Sequence, residues 1–310
     1  MHQAVHAQTS GTQSTYAQGL SVGTERKPVV LANAFQCDVV ARSGANYRLF
    51  VDAPSGEAPP GGWPVVYCTD ANENFGIVAG IVKRLSRQQN NAIVIGIGYV
   101  GEKREGYLKQ RSFDLTFPAS QEWIDERLAI LKGHRFGGAD QFLDFLIREL
   151  RPWVAENYEI DNRKQILLGH SFGGLFTLYT ALTQPDAFSS YIAISPSLWW
   201  ADGPATQLEE AGFERIADLQ IQPRLFVAVG ELEQGGLKHV VSDRPNVLNE
   251  SPMIDLSRDF VSRLSKRNPQ IAAKFVVVAG AHHGSVFIPA VAQGLGEALQ
   301  KDPAGGQARQ

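Results

Sequence analysis

Short apolar runs of β-forming residues alternate with stretches of helical apolar spacing from about residue 35 to residue 299. Residues 92–99 form one such run with no polar alternation, the pattern of a strand covered on both faces. Strands are predicted over residues 35–40, 47–52, 64–69, 165–169, 191–195, 224–229 and 274–278 as well. Helices are predicted over 77–89, 140–158, 172–183, 208–217, 253–266 and 286–299. Repeated β–α units require crossovers that return each strand parallel to the last. The expected class is therefore α/β, with a mainly parallel central sheet and helices on both faces. Residues 101–137 are charged and irregular and read as a lid-like insertion. Residues 1–27 and 301–310 read as tails around a single domain spanning 28–300.

Composition narrows the class of function. Of 310 residues 44% are hydrophobic and 20% charged, enough apolar surface to offset the entropy of ordering. The formal net charge of −3 offers no broad basic footprint for nucleic acid. No apolar run approaches the roughly 18 residues that span a bilayer, so no membrane partner is expected. Cys37 and Cys68 each lie in a β-like run and read as two buried thiols. Ala4-Val5-His6-Ala7 faintly resembles a signal-peptidase site without the basic and apolar regions that precede one. Export to the periplasm follows if this is a remnant of such a signal, and a cytoplasmic location otherwise.

Gly169-His170-Ser171-Phe172-Gly173 matches G-x-S-x-G between a predicted strand and a predicted helix. That context is what a nucleophile elbow needs. The serine sits in a sharp, strained turn, and glycines on either side let neighbouring backbone approach. Ser171 is thus the candidate nucleophile, and the amide of Phe172 a candidate oxyanion donor. His170 reads as a packing residue of the elbow. A serine hydroxyl needs an adjacent base. After Ser171 the chain carries only His239, His282 and His283, and the last two follow the strand 274–278 directly. Either is a candidate base. The acid belongs after the strand 224–229, where Glu231 and Glu233 stand. In an extended chain both point the same way, and Glu233 is favoured as lying further out. The loop Thr69-Asp70-Ala71-Asn72 is the source of a second oxyanion donor, Ala71 or Asn72.

With these motifs assembled, the chain resembles the α/β-hydrolase family of esterases that includes the enterobactin-type and bacillibactin siderophore esterases. The carrying segments include Val65 to Asn72, Arg111 to Thr116, Gly137 to Leu143, and Gly169 to Leu175. To these belong Ser195 to Trp200, Val229 to Glu233, and His283 to Val286. The resemblance implies that His283, which precedes Gly-Ser-Val, is the base. It implies ester or lactone hydrolysis through Ser171, with no metal or organic cofactor. The chain departs from the family's Asp-Gly-Asn at Asp70-Ala71-Asn72, where a methyl narrows the oxyanion loop. Arg111, Lys132, His134 and Arg135, with Trp123, Trp199 and Trp200, suggest cations beside aromatics for an anionic, ring-bearing ligand such as a catecholate. The expected partner is a small-molecule ester. The alternatives are a general carboxylesterase or thioesterase, and a non-catalytic binding protein on the same fold.

Overall fold

The computed structural model describes residues 30–86, 91–101, 104–128, 131–202, 206–235 and 251–300. The expected tails, the possible export signal and His239 lie outside them. Among the described residues eight strands form one sheet in the order β1-β2-β4-β3-β5-β6-β7-β8. β1 (Ala34–Val40) and β2 (Asn46–Asp52) form an antiparallel hairpin, and β2 pairs antiparallel with β4 (Ile93–Tyr99). From β4 onward every pairing is parallel, through β3 (Trp63–Cys68), β5 (Ile160–His170), β6 (Ser190–Ile194), β7 (Arg224–Gly230) and β8 (Ala272–Val278). Every residue of β4 is buried, as its unbroken apolar run requires.

The pleat sends alternate residues to opposite cores. Val65 and Tyr67 join one core and Val66 and Cys68 the other. The second core is closed by α1 (Ala71–Ser86) and the last helix, α9 (Phe287–Ala298), through residues such as Val78 and Val291. The first is closed by α6 (Phe172–Thr183), α7 (Thr206–Ala217) and α8 (Met253–Arg267). It is also closed by α4 (Ala139–Phe145), which runs through a π-helical turn (Leu146–Leu150) into α5 (Arg151–Asn157). Both cysteines are free thiols; Cys68 is buried, whereas Cys37 on the edge strand β1 is only partly covered.

Two expectations are corrected here. The segment 101–137 is not irregular, since it holds α2 (Arg104–Asp114) and α3 (Gln121–Arg127). Helix α2 is so rich in charged residues that its apolar stripe is faint in the sequence. Helix α1 starts at Ala71 and not near residue 77, because its first turn is polar and carries a helix-start signal in Glu73 rather than apolar spacing.

Candidate active site

Parallel strands deliver their carboxyl ends to one rim of the sheet, where the loops that follow can converge. Asp70 follows β3, Ser171 follows β5, Ser195 follows β6, Glu233 follows β7 and His283 follows β8. A cavity of about 400 Å³ opens there, and Asp70, Tyr99, Arg111, His170, Ser171 and His283 contribute to its wall.

Ser171 caps α6 with φ 60° and ψ −119°, a left-handed conformation that a side chain rarely adopts. Its neighbours hold it there. A Cβ on Gly169 would collide with the backbone of Gly173, and one on Gly173 with the hydroxyl of Thr69. The Ser171 amide donates to Ile194 O at 3.0 Å, which ties the turn to the next strand. Residues of a first helical turn have no intrahelical acceptor for their amides, so Phe172 N–H is available beside the serine.

Glu231 and Glu233 part company because the chain coils into a single 3₁₀ turn (Glu231–Glu233) directly after β7 instead of staying extended. Glu233 folds back and is 4% exposed. Its Oε2 accepts from His283 Nδ1 at 2.6 Å. Its Oε1 accepts from Ser195 Oγ and from the Gly230 amide, each at 2.6 Å. Glu231 instead accepts from the Gly280 amide at 2.7 Å and braces the loop that carries His283. With Nδ1–H given to Glu233, His283 keeps its lone pair on Nε2, the tautomer a general base requires. His282 is exposed, and its Nδ1 accepts from the Gly284 amide. His170 packs against His283 with ring centroids 4.6 Å apart and donates from Nε2 to the His283 carbonyl at 2.9 Å. Among the described residues no hydrogen bond joins Ser171 Oγ to the imidazole; such bonds are often long before substrate binds.

Electrostatics follow from these contacts. Burial acts to raise the Glu233 carboxyl, yet the bonds from His283, Ser195 and Gly230 hold it below the ordinary carboxylate range. Burial, then the nearby His283 and Arg111, push His170 far below the usual imidazole value, so it is neutral.

The Asp70 turn has φ 57° and leads directly into α1, so Ala71 and Asn72 are first-turn residues and not part of a loop. Their amides, like that of Phe172, lack intrahelical partners. The Ala71 methyl does not narrow the site; it faces Gly96 of β4 within the second core. The Asn72 side chain is engaged at both ends, accepting from Tyr99 N at 2.7 Å and donating to Tyr99 O at 3.0 Å.

The residues expected to bind an anionic ring do not assemble. Arg111 lines the cavity, but its guanidinium is spent on a two-pronged pair with Asp70 at 2.6 and 2.8 Å. Trp199 and Trp200 are buried beneath the elbow, packed on Phe172 and Trp123, with Trp200 Nε1 donating to Phe117 O. His134 bonds Ser112 Oγ, and Arg135 lies over the Phe113 ring; with Lys132, both stand outside the Ser171 cavity. The apolar bulk of the tryptophans goes to the core, and Arg111, His134 and Arg135 find local partners. Sequence reasoning missed Ser195 and Asp70 as parts of the site. The available signals were that both stand just after strands and within segments that carry the family resemblance.

Comparison with known proteins bears on the family and the fold. Residues 41–297 match the family described as "Putative esterase". The chain is 35% identical over 263 residues to ferri-bacillibactin esterase BesA of Bacillus subtilis, covering 83% of this chain and 86% of that protein. It is 29% identical over 291 residues to the siderophore triacetylfusarinine C esterase of Aspergillus fumigatus, covering 88% and 96%. The crystal structure of the BES protein from Bacillus cereus superposes with a TM-score of 0.76 at 28% identity, covering 88% of this chain and 98% of that one. The sheet with its two helical layers is the α/β-hydrolase fold, and the chain belongs to the esterase family that residues 41–297 match.

Proposed function

We propose that this protein is a serine esterase that hydrolyses ester or lactone bonds of a siderophore by way of an acyl-enzyme. The observation that carries the reading is the His283 Nδ1–Glu233 bond of 2.6 Å on the wall of the cavity that also holds the strained Ser171. His283 Nε2 takes the Ser171 proton as Oγ attacks the ester carbonyl carbon. The amides of Phe172 and of Ala71 or Asn72 receive the developing oxyanion. The tetrahedral intermediate collapses, the C–O bond to the alcohol breaks, and His283 returns the proton to the leaving oxygen. Water then attacks the acyl-enzyme by the same route and frees Ser171. Glu233 stabilises the imidazolium in both steps. The substrate class is carried from the relatives' names.

The test is a substrate panel on purified protein: ferric and iron-free trilactone siderophores, a ferric hydroxamate ester, and short aryl and acyl esters, with a fluorophosphonate probe alongside. Labelling at Ser171 with preferred turnover of a siderophore ester is expected. Labelling with turnover of short esters alone would assign a general carboxylesterase. Absence of both labelling and turnover would overturn the reading in favour of a binding protein.

A further inference from the structure

The geometry points to Ser195 as a positioning residue for catalysis: its hydroxyl and the Gly230 amide together suspend Glu233 from two adjacent strand ends and fix how strongly His283 holds its proton. The inference rests on the proposed serine-esterase reading. β6 and β7 are parallel neighbours with Ile194 opposite Ala228, so Ser195 comes level with Val229 at the rim, one residue short of Gly230. Ser195 is fully buried and donates from Oγ to Glu233 Oε1 at 2.6 Å. Its own amide donates to Ala228 O at 2.7 Å. The residue sits at φ 41°, a conformation that costs free energy for any side chain and persists where its surroundings dictate it. Gly230 has no room for a side chain, because a Cβ would press on the Ala281 carbonyl and approach Glu233 Oε1. One carboxylate oxygen is thus held by the two strand ends, leaving the other for the imidazole alone.

A donor on Oε1 delocalises the carboxylate charge and lowers the proton affinity of the whole Glu233–His283 pair. Other charged or titratable groups near this pair are His170, tilted against the ring, and Arg111, which acts on His170 through space. Neither contacts Oε1. Removing the Ser195 hydroxyl should therefore raise the pH at which the base is lost.

The experiment compares wild type with Ser195→Ala and Ser195→Gly. Glycine relieves the backbone strain and also lacks the hydroxyl, so it remains available should the alanine variant not fold. The readouts are the acid limb of the kcat/KM profile on an aryl ester and the His283 titration midpoint by NMR. Both variants are expected to move the limb and the midpoint upward by about half to one pH unit. An unchanged His283 midpoint, or a shift in alanine but not in glycine, would overturn the inference. If the wild type hydrolyses no ester, the proposed function fails instead, and the NMR midpoint still decides the role of Ser195.

Discussion

Glu233→Gln is the substitution whose consequences the structure defines most closely. The glutamine amide has one acceptor and one donor end, whereas Glu233 accepts at both oxygens. Ser195 Oγ–H and Gly230 N–H both point at Oε1, so the amide oxygen must stay there; the reverse orientation would set two donors against each other in a buried site. The NH₂ then faces His283 Nδ1 across the 2.6 Å contact and forces that nitrogen to accept. The imidazole proton moves to Nε2, toward Ser171, and the base is lost along with the charge that stabilises the imidazolium. A loss of about 10³–10⁴-fold in kcat/KM is expected from a tautomer reversal of this kind. That corresponds to roughly 4–5.5 kcal/mol of transition-state stabilisation. Glu231→Gln is the control. It keeps an acceptor for the Gly280 amide and should cost less than about tenfold, the effect of about 1.4 kcal/mol. Steady-state hydrolysis of an aryl ester by both variants, with melting curves to confirm folding, is the assay. The reasoning fails if Glu233→Gln keeps more than a tenth of the activity, or if Glu231→Gln loses as much.

Three further outcomes can be measured. Ser171→Ala should abolish turnover and leave the melting temperature near that of wild type, while Ser171→Gly should add about 1 kcal/mol of stability by relieving the φ of 60°. Gly169→Ala should destabilise by about 2–3 kcal/mol or more in denaturant titrations, since its Cβ meets the Gly173 backbone rather than a yielding side chain. Asp114 is buried with a hydrogen bond from Gln110 on Oδ1, and burial raises its carboxyl to about 7. The folded protein therefore holds a proton that the unfolded chain releases near pH 4. Its stabilising contribution is complete below that pH and is lost as pH rises through about 7. Asp114→Asn should flatten this fall, widening the melting-temperature gap over wild type between pH 4 and pH 8; a constant gap would count against the buried proton.

Much of the fold is legible because its signals are local. The unbroken apolar run of β4, the helical spacing of α6 and the glycines around Ser171 each express a constraint felt within a few residues. Helix α2 escapes notice because charge hides its stripe, and the first turn of α1 because it is polar. The tryptophan pair misleads for a different reason. Large aromatic residues suit a ligand wall and a core equally well, and only packing beneath the elbow assigns Trp199 and Trp200 to the core.

The chain's own order of residues was sufficient to establish an α/β architecture, a strained serine between strand and helix, and a histidine after the final strand. Those are properties of short segments, set by backbone sterics and periodicity. Which glutamate meets the imidazole was decided only in three dimensions, by a 3₁₀ turn of Glu231–Glu233 that sends one carboxylate inward and the other to Gly280. The same holds for the pairing of Arg111 with Asp70 and for the hydroxyl of Ser195 on Glu233, across 41 and 38 residues of sequence. The Ser195–Glu233 contact joins segments that follow separate strands, Arg111 reaches Asp70 from helix α2, and it is the parallel sheet that brings the strand ends to a common rim.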